Sequence, residues 1–179
     1  MYRKLNNNEL NRVSIPEFRE MEKMPLVVVL DNVRSQHNIG AAFRTADAFA
    51  AQSLVLCGIS AIPPTPEIRK SALGAEESVP WEYYKETTQA VQQLKEKGYI
   101  VLAMEQTENS VELQNFQPAA GSCYAIVFGN EVKGVSQDVI NLCDGTLEIP
   151  QFGTKHSLNV SVSVGIALWD FTFKYNQLM

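Results

Sequence analysis

With 179 residues the chain suits one domain and leaves little room for two. Hydrophobic residues make up 45% and charged residues 20%, without long like-charge blocks, so a full core can be buried and extensive disorder is excluded. The formal net charge of -5 argues mildly against a uniformly basic nucleic-acid footprint, but it says nothing about local patches.

Residues 1–24 read as a polar arm carrying one short helix from Ile15 to Met21, and 25–179 as a single domain. The arm starts with basic residues but has no apolar h-region, so no signal peptide is expected. Pro25 to Leu30 is a continuous apolar run, as expected of a strand buried on both faces. From Asn38 to Ala50 the pattern turns helical, with Ile39, Phe43, Ala46 and Phe49 or Ala50 on one stripe. Ser53 to Cys57 predicts a second buried strand, closed by Gly58. A short helix follows from Glu67 to Leu73, stopped by Gly74. Trp81 to Tyr84 predicts a short strand. Thr87 to Lys97 predicts a surface helix, with Thr87 as its N-cap. Strands are expected at Tyr99–Met104, Tyr124–Phe128 and Thr146–Pro150, with a Ser136-capped helix from Ser136 to Leu142. From Leu158 the alternation of Leu158, Val160, Val162 and Val164 with Asn159, Ser161 and Ser163 suits a half-buried strand.

Buried strands alternating with helices give an α/β fold, a mostly parallel sheet with helices on both faces. In such sheets ligands bind beyond the carboxyl ends of the strands. Three segments stand there. In the first, Asn38 can cap a helix whose exposed N–H groups favour anions, Gly40 permits close backbone approach, and Arg44 follows one turn later. An ordinary cap and a surface arginine explain the same residues. The second, Phe128-Gly129-Asn130-Glu131 with Gly134, is either a turn before a helix or a site. The third runs from Pro150 and Gly153 to Lys155, His156, Ser157, Leu158 and Asn159. Cys57, Cys123 and Cys143 form no close metal-type pair and read as reduced thiols of a cytoplasmic protein. His37 and His156 lack Cys or His neighbours, so no metal is expected. No apolar run approaches the ~18 residues of a membrane span.

In this order the three segments resemble the motifs of the SpoU/TrmH family of RNA 2'-O-ribose methyltransferases, part of the SPOUT superfamily. Asn38, Gly40 and Arg44 match N-x-G-x-x-x-R. Phe128, Gly129, Asn130, Glu131 and Gly134 match F-G-N-E-x-x-G. Ile149, Pro150, Gly153, Ser157, Leu158 and Asn159 match I-P-x-x-G…S-L-N. The resemblance covers about residues 25–175 and includes the 74–80 segment. It implies an α/β sheet with a deep C-terminal trefoil knot, a homodimer, and S-adenosylmethionine bound in the knotted loops, leaving as S-adenosylhomocysteine. It places the cofactor near Leu102, Ala103, Met104, Glu105, Phe128, Gly129, Asn130, Ile149, Pro150, Gly153, Ser157 and Leu158. It assigns the catalytic set to Asn38, Arg44, Glu131, Ser157 and Asn159. It also overrides the Val/Ser alternation: Gln151–Ser157 becomes the cofactor loop and Leu158 onward a helix. Ser161, Ser163 and Gly165 would then allow close packing, and Ile166, Trp169 and Phe173 fall at helical spacing.

The implied chemistry is attack of a ribose 2'-hydroxyl on a sulfonium methyl. Arginine is a very poor base, so Arg44 reads better as a phosphate clamp that stabilises developing alkoxide charge. Glu131 is the better general-base candidate on acidity, provided it lies near the hydroxyl. Arg34, Arg44, Lys133 and Lys155 are expected to bind RNA, with Arg69, Lys70 and His156 nearby. Residues 1–24 are too short for a separate RNA-binding domain, and compact single-domain members of the family act mostly on tRNA, so the resemblance favours tRNA over rRNA; the Leu30–Ala48 segment is similar to the tRNA guanosine branch. The alternatives are an rRNA enzyme, a catalytically silent RNA-binding member of the fold, and an ordinary open-sheet nucleotide enzyme. The last lacks a G-x-G-x-x-G after its first strand.

Overall fold

The computed structural model describes residues 2–178. Helix α1 (Ile15–Glu20) is closed by a capping box between Ser14 and Glu17 and buries Phe18. Strand β1 (Met24–Asp31) leads into α2 (Gln36–Ala48), β2 (Ala51–Cys57), α3 (Pro66–Ala72), α4 (Ala75–Ser78) and β3 (Trp81–Tyr84). Then come α5 (Thr87–Glu96), β4 (Ile100–Met104), the two-residue β5 (Val111–Glu112), β6 (Tyr124–Phe128), α6 (Gln137–Ile140), β7 (Gly145–Glu148) and α7 (Val160–Asn176). The strands form one sheet in the order β3-β2-β1-β6-β4-β7-β5, and each neighbouring pair is parallel. Strand β6 is inserted between β1 and β4, and the chain then passes to the far side of β4 to form β7. This interleaving of late strands with early ones is the setting in which the expected C-terminal knot would be tied.

The continuous apolar strands have the simple cause expected of them. Along β1, Leu26, Val28 and Leu30 enter one core with Ile39 and Phe43 of α2, Ile68 of α3 and Val164 and Leu168 of α7. Val27 and Val29 enter a second core with Val91 and Leu94 of α5 and Val139 of α6. Successive side chains of a strand point to opposite faces, so a strand covered on both must be apolar at every position. Gly40 lets α2 lie directly on α3: a Cβ there would come within 2.0 Å of Ser71 Oγ and 2.4 Å of the Ile68 carbonyl.

Two expected helix caps move, and a third, Ser136, stands at the N-cap of α6 as expected but without the side-chain bond. Ser35, not Asn38, caps α2, its Oγ accepting from Asn38 N at 3.3 Å. Asn38 therefore lies in the first turn with its side chain free for other partners. Thr87 lies inside α5 rather than at its cap, and its hydroxyl donates to Asp31 Oδ1 at 2.5 Å. Ser136 precedes α6 but makes no side-chain cap; its backbone N–H donates to Asp31 Oδ2 at 3.3 Å. In each case a tertiary partner takes the side chain or N–H that local pattern assigned to the cap.

The Val/Ser run is a helix, starting two residues later than expected, at Val160 with Asn159 as N-cap. Val160, Val164, Ala167, Leu168 and Phe171 are buried, the i, i+4, i+7, i+8, i+11 stripe of a helix. Phe171 stacks on Phe116 at 5.5 Å and meets Tyr124 edge-on at 5.6 Å. Lys174 Nζ donates to the Leu113 carbonyl at 2.6 Å, fastening the helix end. Gly165 has nothing within 4 Å of where a Cβ would stand, so its smallness serves no packing within one chain. Among the described residues no helix is long and apolar enough to cross a membrane.

Candidate functional site

Beyond the carboxyl ends of β4, β6 and β7 lies a cavity of about 520 Å³, within the usual size range of small-molecule sites. Met104 and Glu105 reach it from β4 and Phe128 from β6, with Ile149 just past β7 and Leu158 and Asn159 ahead of α7. Apolar Met104, Phe128, Ile149 and Leu158 face polar Glu105, Gln106, Asn130 and Ser157 across it.

The segment leaving β6 is folded back on itself. Asn130 O accepts from Gly134 N at 3.0 Å, and Asn130 Oδ1 accepts from Val132 N and Lys133 N at 3.0 and 2.9 Å. A Cβ on Gly129 would lie 1.9 Å from the Gly134 carbonyl carbon. Gly134 has φ +67, and a Cβ there would meet Glu105 Oε2 at 2.1 Å. Both glycines are thus demanded by close approach, and Gly134 also by its left-handed backbone. Glu105 holds the returning strand of this loop by accepting from Val135 N at 2.9 Å, while its other oxygen accepts from Gln106 N at 3.0 Å.

Glu131, at the tip, reaches across to the start of α2. Its Oε1 accepts from Asn38 Nδ2 at 2.9 Å and Ser35 N at 3.4 Å, and Oε2 accepts from Arg34 N at 3.4 Å. Buried Asn38 in turn accepts from Asn159 Nδ2 at 3.2 Å. Asn159 Oδ1 accepts from the N–H and hydroxyl of Ser161, at 2.9 and 2.6 Å. A chain of hydrogen bonds therefore runs from the cap of α7 through α2 to the β6 loop. Partial burial pushes the Glu131 carboxyl up. Its backbone, Asn38, Arg34 and Ser35 hydrogen bonds outweigh that and hold it below the usual glutamate value.

Of the residues named from sequence, Met104, Glu105, Phe128, Gly129, Asn130, Glu131, Lys133, Ile149, Ser157, Leu158 and Asn159 line this cavity. Leu102 and Ala103 do not reach it: they are core side chains on opposite faces of β4. Pro150, Gly153 and Lys155 lie in the loop after β7 but outside the lining; Gly153 and Lys155 are exposed. Buried Asn38 stands behind the rim, and Arg44 is exposed on α2, away from the lining. Among the described residues Arg44 forms no ion pair, whereas Arg69 pairs with Glu77 at 3.3 Å and Lys70 with Glu67 at 2.6 Å. Gln151, in the expected cofactor loop, also lines the cavity, as do Gln106, Val132, Glu148, Val160 and Ser163, which no motif marked. Most stand within two residues of a strand end or a motif position, the signal that could have found them.

The SpoU rRNA Methylase family profile matches residues 25–169, and the elements that frame the cavity fall within that span. The chain belongs to the SpoU rRNA Methylase family. It is 32% identical over 149 residues to a 23S rRNA (guanosine-2'-O-)-methyltransferase RlmB of Pseudomonas putida, covering 83% of this chain and 59% of that protein. A Staphylococcus haemolyticus protein named as a putative TrmH family tRNA/rRNA methyltransferase is 31% identical over 160 residues, covering 89% and 63%. The chain thus spans less than two thirds of the length of these curated relatives. Among solved structures, the TrmH/SpoU tRNA modifying enzyme of A. aeolicus superposes with a TM-score of 0.80 at 26% identity, covering 91% of this chain and 83% of that one. An AdoMet-bound rRNA methyltransferase from Sinorhizobium meliloti gives 0.77 at 26% identity, covering 86% and 59%. The parallel α/β sheet expected from the motifs is the SpoU-family fold.

Proposed function

We propose that this SpoU-family protein is an S-adenosylmethionine-dependent RNA 2'-O-ribose methyltransferase. The observation that carries the reading is the Asn159–Asn38–Glu131 chain, which joins all three motif segments beside one cavity of cofactor size. The lining suits the cofactor. Apolar Met104, Phe128, Ile149 and Leu158 would take its adenosine, and the bent backbone at Gly129–Asn130 and the polar rim its charged end. When bound, S-adenosylmethionine supplies a methyl group on a sulfonium whose leaving group departs as a neutral thioether, so the site needs no acid.

The protein's part is orientation, where proximity supplies roughly 7–11 kcal/mol in favourable cases. Glu131 is committed to Asn38 and two backbone N–H groups and is held ionised, which makes it a poor proton acceptor. Its role is to position Asn38 and the loop rather than to act as the base, and the 2'-hydroxyl proton passes to solvent water. Arg44, exposed and without an acidic partner, clamps an RNA phosphate and stabilises developing alkoxide charge. Lys133 and Lys155 add cations near the rim. Arg69 and Lys70 are offset by Glu77 and Glu67, which narrows the expected basic surface.

The tRNA preference expected from the short N-terminal arm has a competitor. The Pseudomonas putida relative named above is a 23S rRNA guanosine methyltransferase, so a ribosomal guanosine is supported at least as well as tRNA. The chain acts as a cytoplasmic homodimer in this reading, supported by a second, exposed apolar stripe on α7: Val162, Ile166, Trp169 and Phe173. Isothermal titration with S-adenosylmethionine tests the cofactor reading. Saturable binding that is lost in Gly134→Asp, which forces a side chain into Glu105, is the expected result. No binding by the wild type would leave a silent RNA-binding module.

A further inference from the structure

A second cavity, of about 650 Å³, opens on the opposite side of the Asn130–Gly134 loop. Its floor is Asp31 and Asn32 at the end of β1, with Ile59 beyond β2 and Ser136 and Gln137 at the start of α6. Asn130, Val132, Lys133 and Gly134 line both cavities, so one loop is the wall between them. The methyl-transfer reading gives Arg34 and Lys133 a general part in RNA binding but assigns no ligand to this second space.

Its chemistry is particular. Arg34 and Lys133 bring two cations. Ile59 and Val132 bring two apolar side chains that are 59% and 76% exposed. Asp31 is the one carboxylate in the lining, and it is turned inward. It is 1% exposed and accepts from Thr87 Oγ1, Asn32 Nδ2 and Ser136 N at 2.5, 2.8 and 3.3 Å. Its charge is spent on interior donors rather than set against an incoming anion. Asn32 has φ 55 and is pinned by Ile59 N, which donates to its Oδ1 at 3.1 Å, so the Ile59 turn is fixed relative to β1. Cations beside exposed apolar surface, without a free acid, suit a phosphate joined to a flat ring, the unit that single-stranded RNA presents.

We propose that this cavity seats the nucleotide flanking the one methylated. Arg34 and Lys133 hold its phosphate while Ile59 and Val132 pack on its base. The proposal rests on the RNA methyltransferase reading. It adds a subsite and a residue, Ile59, that lies outside every motif. The seat lies across the shared loop from the cofactor cavity, as a strand led past the reacting ribose requires.

The test is steady-state methyl transfer from labelled S-adenosylmethionine to bulk bacterial tRNA and ribosomal RNA, with Ile59→Glu and Arg34→Gln compared with wild type. Both side chains are exposed, and Arg34 meets Glu131 through its backbone, so both variants should keep the fold and the titrated cofactor affinity. The expected result is an RNA KM raised by about tenfold or more in each variant, with kcat at saturating RNA little changed. Arg34→Gln should also lower the salt slope of RNA binding by about one. An active wild type with unchanged RNA KM in Ile59→Glu overturns the seat alone. A wild type that transfers no methyl to either RNA overturns the enzymatic reading and the seat with it.

Discussion

Asn38 is buried, and each end of its amide has a partner: Glu131 accepts from Nδ2 and Asn159 donates to Oδ1. Replacing it with alanine removes both hydrogen bonds; Asn159 and Glu131 are exposed and regain water, so the cost is that of the lost bonds, about 0.5–1.5 kcal/mol each. Asn38→Ala should therefore lower both thermal stability and cofactor affinity, read by melting and titration. Arg44 makes no internal contact of this kind. Arg44→Ala should keep stability and cofactor affinity while single-turnover methyl transfer falls by about 10²–10³-fold, the usual scale for losing one charge-stabilising donor. Glu131 gives a pH signature. Its carboxyl is held below the ordinary glutamate value in the folded state, so its contribution to stability is present above that value and lost as pH falls through the depressed one. Glu131→Gln should flatten this acid limb of a melting-temperature profile. Turnover should drop as the loop loosens, and an unchanged rate at saturating cofactor would remove even the positioning role.

Helix α7 shows what an element adds beyond its residues. Alternating Val and Ser favour a strand, and β-branched residues are modest helix formers. The segment is nonetheless helical because Val160, Val164, Leu168 and Phe171 then share one buried face against the sheet and Phe116. Only the motif context made that helix legible. The central strands were legible from their unbroken apolar runs, and the cavity from the rule that ligands sit past strand ends. Leu102 and Ala103 show the limit of that rule: one strand's apolar residues look alike, and only packing separates the last, cavity-lining Met104 from the core pair before it. Two of the three cap differences share one physical cause, since Asp31 draws in Thr87 and Ser136 N from distant positions, while the Asn38 side chain is taken by Glu131 and Asn159. The two-residue β5 and the four-residue α4 are too short to carry a periodic signal. The outer face of α7 leads to a further expectation. Trp169 and Phe173 stack at 5.6 Å and remain exposed, at 57% each. Trp169→Glu should convert a dimer to a monomer in light scattering, and a wild-type monomer would contradict the homodimer.

At the scale of the molecule, the proposed function sets a net charge of -5 against a polyanionic substrate. The structure concentrates the cations unevenly. Arg34 and Lys133 flank the second cavity, while Arg69 and Lys70 are tied up in exposed ion pairs. RNA affinity should fall steeply with salt through the first pair. Charge removal at Arg69 or Lys70 should change it less, since each cation already stands beside a neutralising carboxylate, Glu77 or Glu67. The interleaved sheet brings together the ends of β1, β4, β6 and β7, and through them the motif segments, around a loop with a cavity on each side. Methyl transfer is the claim that this arrangement supports, and one measurement tests it most directly. The protein is incubated with methyl-labelled S-adenosylmethionine and bulk tRNA or ribosomal RNA, and the product is mapped by nuclease digestion. The predicted result is label at a ribose 2'-oxygen, resistant to cleavage at that linkage and absent with Arg44→Ala. Label on a base, or none on either RNA despite cofactor binding, would contradict it.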